Sequence, residues 1–205
     1  MMRPHRLVLS LSTLLASLAL VSTTTPAAQA EVWSHRDASG DVVRVVQGAG
    51  NSSEPAAPED RNADVRRVDI AHTSRTVRVA VRVRDMTRDG QFGRLHLRMP
   101  GGVEVMAEVA REGRDTTFLL IPLGEDEWAG CADASGRFRP KRNLMVVRIA
   151  RSCLGDPRWV RASVAYGTFE GSWARSRVFH VDDGLRDRGY SVARLPGWSP
   201  RVAVG

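Results

Sequence analysis

The clearest alternation of apolar and polar residues in the chain lies over residues 64–85. Every second residue over 77–83 is valine, and the residues between these valines are arginine or alanine. A repeat of two residues is that of a β-strand with one buried face and one solvated face. Val68 and Ile70 alternate in the same way before a short polar segment at 72–75, which has the composition of a hairpin turn. We therefore predict a long antiparallel hairpin, whose valine face requires a second sheet to bury it.

A second hairpin is predicted over residues 93–109. Apolar residues alternate with mostly charged residues on both sides of the turn Pro100-Gly101-Gly102. A three-residue turn sets a register in which two arginines of the first strand face two glutamates of the second. The predicted pairs are Arg98 with Glu104 and Arg94 with Glu108. The same register keeps both apolar faces together, so the ion pairs and the hydrophobic pattern support one hairpin.

The other patterns are also short strands separated by turn residues. Residues 31–46 predict two strands joined by a turn at 37–41, and the nearly continuous apolar run at 116–122 predicts a central strand covered on both faces. No amphipathic helical run of ten or more residues follows residue 30. About 8–10 short strands with frequent turns predict an all-β fold, an antiparallel β-sandwich of two sheets.

The first thirty residues have the pattern of a secretory signal peptide. Basic residues at 3–6 precede an apolar run at 7–21, and Ala28-Gln29-Ala30 provides small residues for cleavage. The apolar run is too short for a membrane span. We therefore predict a secreted, extracellular chain without a membrane span, in which residues 31–205 form a single domain.

Two segments of that domain have no strand pattern. Residues 47–62 are rich in Gly, Ser, Pro, Ala and acidic residues, which is typical of a mobile surface loop. The alternation also fades after Gly184, so we expect a loosely held tail over residues 185–205.

The chain contains two cysteines, Cys131 and Cys153, and both lie in the predicted exported part. An even number of cysteines in an oxidising compartment favours a disulfide bond. Closing this loop would stabilise the fold by roughly 3 kcal/mol according to the chain-entropy model. Two free buried thiols are the alternative.

The chain has a formal net charge of +7 at pH 7, and Lys141 is its only lysine. Arginine side chains suit phosphate and carboxylate groups, so one interpretation is a polyanion-binding surface. The other interpretation places the arginines on the solvated faces of strands, in a chain that uses arginine where lysine would serve. We favour the second interpretation because acidic residues lie between the arginines along the sequence. We expect no nucleic-acid partner.

The oxygen-bearing residues Asp37, Ser39 and Asp41 stand at alternate positions, as ligands do in a calcium loop. The segment lacks a closing glutamate, and its composition also suits a hairpin turn, which we favour. Asp182 and Asp183 could complete a calcium site from across the fold. No zinc-binding spacing and no GxSxG sequence occurs, so no residue is assigned a catalytic role.

Tryptophans are the other candidate binding residues. Trp159 falls on the strand face opposite Val160, while Trp128 and Trp173 fall in predicted loops. Exposed indole rings stack on sugar rings or anchor partner proteins. Packing within the core or beneath loops is the alternative role, and we favour it.

Several motifs together carry a resemblance to known proteins. Asp-x-x-Gly-Asp-Val near residue 37, DVRRVDI and HTSRTVRVAVRVRDM over 64–86, RSCLGDPRWVRASV over 151–164, and SPRV at 199–202 resemble a group of secreted actinobacterial proteins of unassigned function. The strand pattern is similar to the β-sandwich of family 9 carbohydrate-binding modules and DOMON-type domains. That likeness implies a sugar held between aromatic residues and, often, bound calcium. Fold analogy alone does not transfer activity.

Three functions remain open at this point. The first is a non-catalytic binding module, monomeric, that binds a polysaccharide or another envelope component through exposed tryptophans and arginines. The second is a small secreted hydrolase, which would require a deep pocket. The third is a structural or partner-binding protein, which would require a flat apolar patch at a sheet face or edge.

Overall fold

A computed structural model describes residues 31–48, 52–87, 90–124 and 131–205, so the predicted signal peptide lies outside the described residues. The described residues form 13 β-strands, and their only helical segments are three 3-10 turns, Pro100–Gly102, Pro140–Arg142 and Arg151–Leu154. No helix among them is long and apolar enough to cross a membrane. The strands are β1 Glu31–Arg36, β2 Val43–Gln47, β3 Ser52–Ser53, β4 Val65–His72, β5 Thr76–Val83, β6 Gln91–Arg98, β7 Glu104–Glu112, β8 Asp115–Pro122, β9 Ala134–Arg139, β10 Leu144–Ala150, β11 Trp159–Phe169, β12 Val178–Asp183 and β13 Val202–Ala203.

The strands form two antiparallel sheets, which confirms the predicted all-β sandwich. The small sheet has the strand order β1-β4-β5-β10-β9. The large sheet has the order β3-β2-β12-β11-β6-β7-β8, and β13 pairs with β11. Neighbours in each sheet come from distant parts of the chain, so most of the pairing is long-range.

The core lies between the two sheets and is built mainly from branched aliphatic side chains. The valines over 77–83 that carried the alternation in the sequence are all buried in it. The large sheet contributes Leu95 and Leu97 of β6 and Tyr166 of β11, which are fully buried. Burying a side chain of this size stabilises a fold by about 1.5–3 kcal/mol. The predicted valine face is therefore confirmed as one side of the core.

The predicted β6–β7 hairpin is confirmed in register. Arg98 faces Glu104 and Arg94 faces Glu108. Arg98 Nε lies 2.6 Å from Glu104 Oε1, and the Arg94 guanidinium donates to Glu108 Oε2 at 2.7 and 3.0 Å. The turn and the alternation were sufficient to fix this register because both are local in sequence.

The prediction of a central strand over 116–122 is wrong. The strand β8 stands at the end of the large sheet and pairs only with β7 within the described chain. Phe118 and Leu120 pack against the core, whereas Leu119 is 47% exposed and Ile121 is 37% exposed. A continuous apolar run shows that both faces are apolar, but it cannot show whether a further strand covers the edge.

The prediction of a hairpin turn at 37–41 is also wrong. β1 pairs with β4 in the small sheet, whereas β2 pairs with β12 in the large sheet. The segment between them therefore crosses from one sheet to the other. Val43 and Val45 explain the crossing, because they belong to an apolar cluster on the outer face of the large sheet and cannot be buried beside β1.

The described parts of the two segments without a strand pattern are held by the sheets. Ser52 and Ser53 form β3 on β2, and Ala56 forms an isolated bridge with Val43. In the C-terminal tail, which we expected to be loosely held, β13 pairs with β11 and Val202 is fully buried. Pairing with β11 gives the end of the chain backbone partners that the fading alternation did not reveal.

The predicted disulfide bond is confirmed. Cys131 and Cys153 are bonded, with their Cα atoms 5.6 Å apart. The bond joins the segment before β9 to the 3-10 turn after β10. Both strands lie at the same edge of the small sheet, so the crosslink fixes this edge.

Candidate functional site

The outer face of the small sheet carries a concentration of arginines. The inward positions of its strands supply the core, so the alternate positions point to solvent. Seven arginines occupy these outward positions, and Asp69 is the acidic residue among them. We call this surface the arginine face, and its arginines are Arg36, Arg67, Arg78, Arg82, Arg137, Arg139 and Arg148.

The strand register places several of these arginines directly opposite one another. Arg67 of β4 faces Arg36 of β1 on one side and Arg82 of β5 on the other. Arg78 of β5 faces Arg148 of β10. Directly opposite residues in an antiparallel pair have Cα atoms only about 4.5–5.5 Å apart, and like charges at such positions are destabilising. The face therefore contains three unfavourable cross-strand pairs.

One acid compensates one of these arginines. Arg67 Nε lies 2.7 Å from Asp69 Oδ1, and Ser34 donates to the same carboxylate oxygen at 2.7 Å. Within the part of the chain that the structure describes, the other six arginines of the arginine face make no ion pair. Their charges are balanced by solvent ions or by a ligand.

A small apolar cluster lies in the middle of the arginine face. Ala80, Leu144 and Val146 point outward, yet each is buried. Arginine stems cover apolar surface while their charged heads stay in water. Leu144 faces arginines on both sides, and Val146 faces Arg137 on one side and Ala80 on the other. A depression of about 280 Å³ opens here, lined by Ser135, Arg137, Arg139, Val146 and Arg148. The face thus offers a shallow depression that is lined mainly by guanidinium groups and has Val146 as its apolar lining residue.

The two predicted binding tryptophans that the structure describes, Trp159 and Trp173, do not share one surface. Trp128 lies outside the described residues. Trp159 begins β11, and Trp173 lies beyond its other end, where its ring is 5.3 Å from that of Phe169. The 11 residues of β11 separate these ends by about 30 Å at about 3.3 Å per residue. Trp159 and Trp173 are therefore too far apart to hold one sugar ring between them.

Each of the two described candidates has a packing partner. Trp173 contacts three phenylalanine rings on the outer face of the large sheet, with centroid distances of 5.0 to 5.9 Å. The guanidinium of Arg201 lies 4.5 Å from the centre of the Trp159 ring. These contacts are those expected of tryptophans that pack beneath loops and tails.

A cavity of about 360 Å³ lies on the outer face of the large sheet, beneath the C-terminal tail. Its lining includes Arg94, His96 and Tyr190. The charge of Arg94 is already matched by Glu108, and burial followed by the charge of Arg94 lowers the pKa of His96. Arg194 also lines this cavity and makes no ion pair within the described chain, so the cavity offers a ligand one unmatched arginine, whereas the arginine face offers six.

The structure also assembles a buried group of acids where the two sheets meet. Asp37 and Asp41 come from the segment that crosses between the sheets, and Asp182 comes from the end of β12. Each offers a carboxylate oxygen within 4.8 Å of the others. We call these three residues the acidic cluster. Ser39, the third predicted calcium ligand, is exposed on the same segment.

The pKa values of all three carboxyl groups in the acidic cluster are raised. Burial, followed by the charges of Asp182 and Asp41, raises the pKa of Asp37 to about 9. Burial, followed by the charge of Asp41, raises the pKa of Asp182 to about 8. Burial also raises the pKa of Asp41. Like charges in a buried site disfavour the ionised form, so the cluster requires protons or a cation.

No protein-family model matches the chain, and no curated protein matches it significantly. The arginine face and the acidic cluster are therefore the features from which we infer a function.

Proposed function

We propose that the protein is a non-catalytic binding module that binds an anionic polysaccharide on the arginine face. The observation that carries this proposal is the set of facing arginine pairs formed by Arg36 with Arg67, Arg67 with Arg82, and Arg78 with Arg148. Like-charge pairs weaken a sheet, so a surface that keeps three of them favours an external anion as their partner. Carboxylate, sulfate or phosphate groups along a polymer would supply it.

Arginine is well suited to this task. Its planar guanidinium presents parallel N–H donors that match the two oxygens of a carboxylate. Arg137 and Arg139 stand two residues apart on β9, a spacing of about 6.6–6.8 Å along a strand. Arginines on neighbouring strands are about 4.8 Å apart. A linear polymer with an acidic group on each unit could therefore contact several arginines at once.

A polysaccharide suits this face better than a nucleic acid does. A flat sheet cannot enter the major groove of a duplex to contact base edges. Binding of single strands without sequence preference relies on aromatic side chains that stack on bases. No aromatic residue stands at the outward positions that pair in the small sheet, within its described strands. The hydroxyl and acidic groups of a polysaccharide instead require hydrogen-bonding partners, which Ser135 and the arginines around the depression supply.

The proposed setting is outside the cell. The predicted signal peptide and the disulfide bond between Cys131 and Cys153 both favour an oxidising, exported environment. Anionic polymers of the cell envelope or of the surroundings would be within reach there. The module would act as a monomer, since the arginine face alone forms the binding surface.

Affinity electrophoresis and titration calorimetry with polygalacturonate test this proposal. We expect retention by polygalacturonate, no retention by neutral dextran, and weaker binding as salt rises, because charge–charge contacts at a surface are screened. The variant Arg137→Gln/Arg139→Gln/Arg148→Gln should lose about tenfold or more of the affinity, at roughly 1 kcal/mol or less for each exposed charge contact.

A matched control keeps the number of arginines equal. In Arg94→Gln/Arg98→Gln/Arg44→Gln, three arginines are removed from the large sheet, and binding should stay within about twofold of the wild type. An equal loss in both variants would mean that net charge alone drives binding, and would contradict a defined face. Tighter binding to single-stranded DNA than to polygalacturonate would overturn the choice of ligand.

A further inference from the structure

The acidic cluster lies at the other side of the small sheet from the arginine face, where the chain crosses from β1 to β2. The crossing segment brings Asp37 and Asp41 against the end of β12, which supplies Asp182. Gly40 has a φ of +80°, a conformation that a residue with a side chain adopts only with strain. The crossing segment is therefore shaped to turn its two aspartates toward Asp182.

The oxygens of this cluster lack partners although they are buried. The side chain of Asp37 has no exposed surface, and Asp182 is 0% exposed. Both carboxylate oxygens of Asp37, both of Asp41, and Oδ1 of Asp182 accept no hydrogen bond of normal geometry. The other oxygen of Asp182 accepts from the Val65 amide at 2.7 Å. Burying polar atoms without partners costs several kcal/mol for a neutral group and more for a charged one.

Two neighbouring aspartates show that the fold does supply partners elsewhere. Arg84 Nε lies 3.1 Å from Asp64 Oδ2, which is an ion pair without hydrogen-bond geometry. Asp183 accepts from the Gly197 amide at 2.8 Å and lies 3.5 Å from Arg186. For the acidic cluster itself, no arginine or lysine of the described chain lies within ion-pair distance. Asp64 and Asp183 thus each have an arginine partner, whereas the three aspartates of the acidic cluster have none in the described chain.

We infer that Asp37, Asp41 and Asp182 bind a calcium ion that ties the crossing segment to the end of β12. The ligand atoms are carboxylate oxygens that converge from two segments, which is the donor set of a hard cation. Calcium accepts six to eight oxygens in irregular geometry, so carboxylates, backbone carbonyls and water can complete its shell. Magnesium requires a near-ideal octahedron and retains water, which suits a buried set of side chains less well.

A second combination of residues defines the competing metal. His35 Nε2 lies 3.8 Å from Asp37 Oδ1 and 3.9 Å from Asp187 Oδ1. Histidine with carboxylates is a zinc-type ligand set. Asp187 is 68% exposed in its side chain, so this set is open to solvent, whereas Asp182 is enclosed. His35 Nε2 also lacks a hydrogen-bond partner among the described residues, but the enclosed set offers unpartnered oxygens from three carboxylates. This difference favours calcium in the enclosed set, and zinc at His35 becomes an outcome of the test.

The experiment uses protein stripped with EDTA and then titrated with CaCl2, MgCl2 or ZnCl2, followed by calorimetry and by thermal unfolding. We expect one calcium ion per chain and a rise in Tm of about 8 °C when calcium reaches a hundredfold excess over Kd. Magnesium should produce a smaller rise. Calcium-induced stabilisation does not depend on the proposed polysaccharide, so the two ideas can fail separately.

Variants identify the ligands. Asp37→Asn and Asp182→Asn should each weaken calcium binding by tenfold or more. The control Asp156→Asn, which changes an exposed aspartate, should bind calcium as the wild type does. In EDTA the two cluster variants should be at least as stable as the wild type, because each removes a buried unpartnered carboxylate. This result would separate loss of binding from misfolding.

Three results would overturn the inference. One is that calorimetry detects no heat of calcium binding and that Tm does not change at about 10 mM calcium, a concentration above the dissociation constants expected of extracellular calcium sites. Another is unchanged affinity in Asp182→Asn, since Asp182 is the enclosed ligand. The third is tighter binding of zinc than of calcium, abolished by His35→Gln, which would assign the metal to His35, Asp37 and Asp187.

Discussion

The two sheets differ in the residues that stand opposite the arginines of their outer faces. On β6 of the large sheet and on β5 of the small sheet, two arginines stand four residues apart on the outer face. On the large sheet the neighbouring strand β7 places a glutamate opposite each arginine. On the small sheet the neighbours of Arg78 and Arg82 include further arginines instead.

The large sheet also contains one pair of facing arginines, and the repulsion between them is reduced by neighbouring side chains. Arg98 faces Arg161 of β11. Glu104 pairs with Arg98, and the Trp198 ring lies 4.6 Å from the Arg98 guanidinium and 5.8 Å from that of Arg161. An aromatic face attracts cations, so it reduces their mutual repulsion. Among the described residues, the arginine face has no such aromatic side chain at its paired positions. The difference indicates that the small sheet keeps its positive charge available.

The largest effect is expected when glutamates are placed opposite arginines on the small sheet, as they are on the large sheet. In Arg78→Glu/Arg82→Glu, the new glutamates would face Arg148 and Arg67. Binding of polygalacturonate should fall by about tenfold or more, because two attractive contacts become repulsive. The free energy of unfolding should rise by about 1 kcal/mol at low salt, since cross-strand pairs change from like to opposite charges. Calorimetry and urea denaturation measure the two quantities.

A neutral version of the same change serves as its control. Arg78→Gln/Arg82→Gln removes the charges without adding acids, so its affinity and its stability should both lie between those of the wild type and of the glutamate variant. A glutamate variant less stable than the wild type would show that the facing arginines are already balanced within the fold. That result would contradict the claim that the arginines of the small sheet are uncompensated.

A smaller effect is expected from imposing the pattern of the small sheet on the large one. Glu104→Gln/Glu108→Gln leaves Arg94 and Arg98 without acids. Unfolding should become easier by about 0.5–1 kcal/mol, at a few tenths for each partly exposed pair. Binding of polygalacturonate should strengthen slightly, because two arginines are released. Glu112→Gln, on the same strand, is the matched control and should leave stability within about 0.5 kcal/mol.

The β6–β7 pairs could be predicted from the sequence because the turn between their strands is local. The arginine face could not, although its alternation was just as clear. Along the chain Arg78 is surrounded by valines and Arg148 lies far away, and only the pairing of β5 with β10 places them opposite each other. The favoured interpretation of scattered, solvated arginines considered neighbours in sequence, whereas the relevant neighbours are across strands.

The acidic cluster shows the same limit. The spacing of Asp37 and Asp41 indicated a calcium loop, but the composition favoured a hairpin turn that the structure does not contain. The third carboxylate, Asp182, comes from β12 near the other end of the chain. Asp182 and Asp183 are both candidate ligands from across the fold, but the sequence provides no strand register that places either of them beside Asp37. Strand parity likewise could not show that β11 keeps Trp159 and Trp173 apart.

The smallest effect concerns His96, which lies between Arg94 and Arg98 on the outer face of β6. Burial, followed by the charge of Arg94, lowers its pKa, while Glu104 acts in the opposite direction. The folded protein therefore binds this proton less readily than the unfolded chain does. The stability that depends on neutral His96 is present above the unfolded pKa of about 6.5 and is lost as the pH falls below it.

We expect the free energy of unfolding to fall more steeply between pH 7.5 and pH 5.5 in the wild type than in His96→Gln. The difference should stay below about 1.4 kcal/mol per pH unit, the limit for one proton, and well below it for a partly solvated ring. Comparing the two proteins at each pH cancels the titration of the aspartates, whose raised pKa values act in the opposite sense. When His96 is neutral, the charges of the two arginines on this hairpin are balanced by those of its two glutamates. Equal pH dependence in the two proteins would mean that His96 has the same pKa in the folded and the unfolded chain, and would contradict a neutral ring between the two ion pairs.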